Sequence, residues 1–349
     1  MSEVAHTSHV RDRTELLIRN LIPYLIAVLA SFAAAGVFIA IMGFDVLAAY
    51  ETILLTSFSS ANGFVQTLLK FVPLLLQALA FTVPLAAGKF NIGGEGQLIV
   101  GAIGTAAVGI MLADLPAIVL LPMALGAGIV FGALWAAIPA WLLYRFGINE
   151  ILTTVLMNFV AFSLIDFVAT EIWRDPAAGH PTTVPIGAGA QLPLLLSNPR
   201  LHIGVVVALL IALAVYVFTD RTTAGYEMIA TGANPRAARV FGISVKRMFS
   251  FSLILGGAIA GLSGAIEVAG PHRRLIEGLQ SNFLLLGIII GLIAKGNHKA
   301  VPFVAFFIAV LEVGASATQR SLGVPGEMIF IIEALILLFI LFSDVVRRR

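Results

Sequence analysis

Long apolar runs recur along the chain, and they constrain its fold more than any other feature. Several runs reach 18 or more residues, the length a helix needs to cross a bilayer. Charged residues make up only 11% of the chain, against about 25% in an ordinary soluble domain. The sequence therefore predicts an all-α polytopic membrane protein of about ten transmembrane helices. The predicted segments are 21–43, 67–88, 97–113, 117–144, 150–172, 201–219, 248–270, 280–294, 300–317 and 327–344.

Lysine and arginine residues predict how these helices are oriented, because loops facing the cytoplasm are enriched in both. With the N-terminus inside, 15 of the 21 basic residues fall on the cytoplasmic side. We therefore expect cytoplasmic tails at residues 1–20 and 345–349 around a single transmembrane domain at 21–344. That domain carries an irregular external loop at 173–200, rich in proline and glycine, and a cytoplasmic loop at 220–247.

Composition excludes several kinds of function. The chain has no cysteine, so it forms no disulfide and no thiolate metal site. Its net charge of only +2 argues against a nucleic-acid partner. It contains no phosphate-binding Gly-x-x-x-x-Gly-Lys-Ser/Thr loop and no paired-histidine zinc helix, and its six histidines are scattered, so neither ATP hydrolysis nor another enzymatic activity is indicated for this chain.

A polar, glycine-dense octet at residues 90–97 separates two apolar runs. Three glycines make it a poor continuous helix, and the following run is short for a membrane crossing. Two interpretations remain open. The octet is either a plain turn outside the membrane or a broken helix drawn into it, around residues 90–113. Unwound backbone inside a membrane is tolerated where it lines a substrate pathway.

The basic loop at 220–247 contains the signals of a short helix. Asn234 can cap free amides and Pro235 suits the first helical position, so a helix is predicted over Pro235–Phe241, ending near Gly242. A short helix fixed across a cytoplasmic loop can receive force from a soluble partner. The alternative is a structured but inert connector.

Three motifs resemble those of a known family. Gly232-Ala-Asn-Pro-x-Ala-Ala, followed by Phe241-Gly-Ile-Ser-Val, resembles the coupling loop of permease subunits in bacterial ATP-binding-cassette (ABC) importers, in the group for simple sugars, nucleosides and branched-chain amino acids. Asn91-Ile-Gly-Gly-Glu-Gly-Gln97 and the run Asn149–Asn158 resemble the nucleoside-type branch. The resemblance covers about residues 70–345.

The resemblance implies that transport and ATP hydrolysis belong to separate subunits. It implies a permease domain driven by a separate ABC ATPase subunit, which holds ATP and magnesium and docks on the 220–247 loop. It also implies a second permease subunit, suggested to be a paralogue, and an extracytoplasmic substrate-binding lipoprotein of the basic-membrane-protein type. The location would be the bacterial cytoplasmic (inner) membrane. The residues expected to couple to the ATPase are Gly232, Asn234, Pro235, Arg236, Ala237, Ala238, Arg239 and Gly242.

Polar side chains inside apolar runs are candidates for the substrate pathway, because they are costly there unless paired or facing water. Amides suit the hydroxyls and base edges of a nucleoside, and an aromatic ring can stack on the base. The candidates are Phe90, Asn91, Glu95, Gln97, Asn158 and Glu267. For each polar candidate the alternative is an interhelical hydrogen bond, and Glu95 could instead cap the helix that follows it.

A second hypothesis is a secondary transporter driven by an ion gradient. Glu267, Glu312 and Glu333 would then serve as proton carriers. The 220–247 loop separates the two hypotheses, because a gradient-driven carrier needs no ATPase dock.

Overall fold

The computed structural model describes residues 26–326 and 328–347, with side chains up to residue 343, and the predicted tail at 1–20 lies outside these residues. The chain is built from helices. They are α1 (Ile26–Ile41), α2 (Val46–Ser59), α3 (Ala61–Ala86), α4 (Gly94–Met111), α5 (Ala117–Phe146), α6 (Glu150–Phe167), α7 (Gly204–Arg221), α8 (Thr223–Ala233), α9 (Pro235–Val240), α10 (Val245–Glu267), α11 (Phe283–Ile293), α12 (Val301–Leu322) and α13 (Met328–Arg347).

Seven helices in the described part of the chain are long and apolar enough to cross a membrane. Four shorter apolar helices accompany them, namely α1, α2, α11 and the described part of α13. The prediction of an all-α polytopic membrane protein is confirmed. Two helices, α2 and α8, were not predicted. The 14 residues of α2 include Glu51 and several hydroxyl side chains, so the segment lacks the long apolar run used to identify crossings. Helix α8 lies within the 220–247 loop, where only the helix after Pro235 was predicted.

The chain divides into two compact units, with one boundary after Ser59 and the other inside α12. The smaller unit comprises the described residues before Ser60 and after Ala309, and its core includes Ile39, Ala49, Val324 and Met328. The larger unit, Ser60–Ala309, contains every candidate site residue considered below.

Helix α10 is the centre of the larger unit and packs against α3, α4 and α5. Small residues let these backbones approach closely. A methyl group added at Gly261 would lie 2.2 Å from the carbonyl oxygen of Gly128, and one at Gly264 would lie 2.0 Å from that of Leu98. Any larger residue at either position would therefore push α10 away from α5 or α4.

The segment at 173–200 is more ordered than the sequence predicts. It contains a 3₁₀ turn (Ala188–Ala190) and β1 (Leu194–Ser197), which pairs antiparallel with β2 (Arg200–His202). Two buried threonines attach it to the loop before α11: Thr182 Oγ1 donates to the carbonyl of Leu275 at 2.9 Å, and Thr183 Oγ1 accepts from the Leu275 amide at 3.1 Å. These bonds join residues about 90 positions apart in the chain, so local sequence could not predict them.

Candidate functional site

The glycine-dense octet turns back into the helix bundle. Helix α3 ends at Ala86, Gly88 adopts a left-handed conformation with φ of 73°, and α4 begins at Gly94. Asn91 Nδ2 donates to the carbonyl of Ala80 at 3.3 Å, so the octet runs back along α3. Ala80 lies six residues before the end of α3, a depth of about 9 Å at 1.5 Å per residue. The octet therefore folds back along the last turns of α3, and residues 90–97 are called the broken segment below.

Three of the predicted amides hold this break together. Asn91 and Gln97 form a reciprocal pair, in which Asn91 Nδ2 donates to Gln97 Oε1 at 2.8 Å and Gln97 Nε2 donates to Asn91 Oδ1 at 2.9 Å. Asn158, on α6, accepts from the Gly96 amide at 2.9 Å and donates to the Ile92 carbonyl at 2.8 Å. All three side chains are buried. Asn158 thus pairs the Ile92 carbonyl of the unwound backbone and the Gly96 amide in the first turn of α4, which has no partner within its own helix.

Glu95 supports a different helix from the one it belongs to. It lies in the first turn of α4, and its carboxylate accepts a hydrogen bond from the backbone amide of Leu284, in the first turn of α11. A carboxylate is favourable at a helix N-terminus, where backbone amides lack partners within the helix. Helix α11 follows Asn282, which is left-handed with φ of 58° and makes no side-chain cap. Glu95 therefore links the N-termini of α4 and α11.

The structure does not bring Phe90 and Glu267 into this cluster. Phe90 is 39% exposed, and its ring centroid lies 6.1 Å from that of Phe81. Glu267 ends α10, where its carboxylate lies 3.3 Å from Nε2 of His272. Gly256 is the α10 residue beside Asn91, so Glu267 lies 11 residues, or about 16 Å, further along that helix.

The short helix predicted within the 220–247 loop is present as α9. Asn234 Oδ1 accepts from the amides of Arg236 and Ala237, both at 3.1 Å, and Pro235 occupies the first position of α9. Gly242 follows the helix with φ of 84°. Ala238 is buried, whereas Arg236 and Arg239 are exposed.

Two large apolar side chains are exposed beside these arginines. Val240 is 85% exposed and Phe241 is 84% exposed. Such side chains, rimmed by charge, are typical of a protein–protein contact. Sequence analysis did not select them as site residues.

The 220–247 loop contacts the backbone just before the broken segment directly at Gly232. A methyl group added there would lie 2.2 Å from the carbonyl oxygen of Ala86 and 2.9 Å from the amide nitrogen of Gly88. The last turn of α8 and the end of α3 therefore meet backbone to backbone, with no flexible side chain between them.

Sequence analysis also missed Gln77. It lies within α3 and has no exposed surface. A polar amide in an apolar run is the same signal that identified Asn158, so Gln77 could have been found by that criterion.

A polar cavity of about 670 Å³ opens at the end of the larger unit predicted to face outward. His202 borders it and is almost fully buried, and its Nδ1 accepts from the Gly204 amide at 3.1 Å. Burial lowers the pKa of His202 from its ordinary value of 6.5 to about 4, because the charged imidazolium is costly away from water. The residues lining the cavity include Asn62, Gln66, Asn198, Arg200, His202 and Arg273.

Comparison with known proteins identifies the family. The family model for the branched-chain amino acid transport system / permease component matches residues 63–341. The chain is 35% identical to the glucose ABC transporter permease protein TsgB13 of Haloferax volcanii, over 93% of this chain and 88% of that protein. It is 32% identical to the guanosine ABC transporter permease protein NupP of Bacillus subtilis, over 94% and 95% of the two chains.

A third relative extends the comparison. It is the nucleoside ABC transporter permease protein NupB of Lactococcus lactis, 28% identical over 92% of this chain and 91% of that protein. These relatives confirm the resemblance found in the three motifs and do not favour a gradient-driven carrier. The chain belongs to the branched-chain amino acid transport system / permease component family, and it is a multi-pass transmembrane permease of an ABC importer.

Proposed function

We propose that this permease forms the translocation pathway for nucleosides or related simple sugars. The observation that carries the proposal is similarity over nine-tenths of the chain to permeases named for guanosine, nucleosides and glucose. The geometry is compatible with a neutral, hydroxylated solute, because the broken segment is surrounded by amides and the carboxylate of Glu95 is already bonded to the Leu284 amide. The proposed pathway residues are Phe90, Asn91, Glu95, Gln97, Asn158 and Glu267, with Glu267 nearer the outer end.

A separate ABC ATPase supplies the energy in this proposal. ATP and magnesium bind to that subunit, which docks on the 220–247 loop through exposed Arg236, Arg239, Val240 and Phe241. The direct contact of Gly232 with Ala86 and Gly88 then passes movement of the loop to the broken segment.

The complete importer also includes a second permease subunit, proposed to be a paralogue, and an extracytoplasmic lipoprotein that delivers the solute. The chain lies in the cytoplasmic membrane with both termini inside. This orientation is supported by the excess of basic residues, 15 of 21, on the side assigned to the cytoplasm.

Charge reversal of the coupling helix tests the docking. In Arg236→Glu/Arg239→Glu, like charges replace attractive ones at the proposed contact, so the ATPase that co-purifies in gentle detergent should fall about tenfold or more. Arg145→Glu is the matched control, because Arg145 is also exposed and basic on the same predicted side but lies outside the loop. Equal recovery of the ATPase with the double variant and the wild type would contradict the docking proposal.

A further inference from the structure

Gln77 differs from the other buried amides of the site. Among the residues that the structure describes, neither its Nε2 nor its Oε1 has a hydrogen-bond partner. Gln97 is equally buried, at 1% exposure, and its Nε2 and Oε1 each form a hydrogen bond with Asn91. The two glutamines are therefore equally buried, but only the Gln97 amide has hydrogen-bond partners among the described residues.

Two other helices approach the Gln77 side chain and leave space for it. A methyl group added at Gly94 would lie 2.5 Å from Gln77 Oε1 and 2.8 Å from a methyl of Leu284. A methyl group at Gly287, on α11, would lie 2.8 Å from the Gln77 backbone carbonyl carbon. Gln77 thus faces the first residue of α4 and the first half of α11, where two helix N-termini meet within the bundle.

Leaving this amide unpaired is unfavourable. A buried polar group without a partner costs the desolvation of that group, and the cost is not offset in an apolar helix bundle. An apolar side chain of similar size would fit the site without that cost. A ligand that pairs with the amide in another state of the transport cycle would account for its presence here.

We propose that Gln77 is a substrate-contacting residue whose amide binds a hydroxyl or base edge of a neutral, polar solute. The inference rests on the proposed import of nucleosides or simple sugars. The amide both donates and accepts, which matches hydroxyl groups and nucleobase edges. Because Gln77 has no exposed surface, the solute reaches it when α3 separates from α4 and α11.

The test compares Gln77→Met with Gln97→Met in the assembled importer. Methionine keeps the length of glutamine and removes its polar atoms. At Gln77 it removes an unsatisfied amide, so the melting temperature of the variant should rise. At Gln97 it leaves Asn91 without its pair, so the melting temperature should fall.

Uptake separates a binding role from a packing role. With ATP-driven uptake of radiolabelled guanosine and glucose as the probes, the KM of Gln77→Met should rise about tenfold, the effect of losing one hydrogen bond to the solute. Gln77→Asn, which keeps an amide, should restore part of the affinity.

Two results would overturn the inference. Unchanged KM in Gln77→Met would show that the amide does not touch the solute, and a lowered melting temperature would show that it has a structural partner. A wild-type importer that takes up neither probe with ATP would instead contradict the proposed function itself, and the inference would fall with it.

Discussion

At position 158 a single asparagine satisfies two backbone groups of the broken segment. Its oxygen accepts from the Gly96 amide and its nitrogen donates to the Ile92 carbonyl, at 2.9 and 2.8 Å. Asn91 and Gln97 satisfy each other in the same way. These amides shape the wall of the proposed pathway, because a residue that holds the break cannot release its bonds without cost. Gln77 has no such bond with any residue that the structure describes, which makes it the better candidate for direct contact with a solute.

His202 links the outer cavity to the pH dependence of stability. Its pKa in the folded chain, about 4, lies below the value of 6.5 expected when unfolded. As pH falls from about 6.5 to 4, the unfolded chain takes up a proton that the folded chain does not. Its contribution to stability is therefore complete above this range and decreases through it.

We expect the wild-type chain to lose about 2 kcal/mol of stability between pH 7 and pH 5 through His202 alone. His202→Gln should remove that part of the pH dependence. The measurement is the unfolding of the purified chain in detergent at both pH values. His180→Gln serves as the control, since His180 is exposed in the external loop. An equal loss of stability in wild type and His202→Gln would show that other groups cause the dependence.

At the scale of the elements, the segment between α3 and α4 contacts several of the surrounding helices. Just after α3, Lys89 forms an ion pair with Glu150 at the start of α6, at 3.2 Å. The same ammonium lies 4.5 Å from the centre of the Phe249 ring on α10. Gly232 of α8, in the 220–247 loop, also packs against this segment. Movement of α8 would therefore displace the segment between α3 and α4, and with it the contacts of that segment with α6 and α10.

Gly232→Ala tests this connection. The added methyl would lie 2.2 Å from the Ala86 carbonyl oxygen, so α8 must move away from α3. Overpacking of this kind typically costs about 1–3 kcal/mol, and we expect a lower melting temperature and reduced ATP-driven uptake with the ATPase still bound.

The matched control for this variant is Gly126→Ala, in helix α5. In the described part of the chain no heavy atom would lie within 4 Å of the added methyl group, so stability and uptake should be retained. Normal uptake by Gly232→Ala would mean that the contact at Gly232 does not carry the coupling.

Several elements could be predicted from local sequence, and others could not. The cap at Asn234 and the helix after Pro235 follow from residues within one turn, so the sequence signals sufficed. The pairing of Asn91 with Gln97 depends on how the chain folds back along α3, which periodicity does not specify. Helix α2 was missed because its 14 residues form no long apolar run.

At the scale of the whole molecule, the apolar runs and the family motifs identified the class correctly. Seven long apolar helices in the described residues and the family match over residues 63–341 support a membrane permease. Which polar residues meet a solute could not be predicted, because buried amides that hold a helix break and buried amides that bind a ligand have the same sequence signal. Only their hydrogen-bond partners distinguish them.

The most direct test of the proposed function is solute uptake by the purified, co-isolated importer in proteoliposomes. Labelled guanosine and glucose would be supplied on the lipoprotein side and ATP on the ATPase side, with ionophores that collapse proton and sodium gradients. We predict ATP-dependent uptake of at least one solute that persists in the presence of the ionophores. Uptake that does not depend on ATP and stops when the ion gradients collapse would contradict the proposed ATP-driven import.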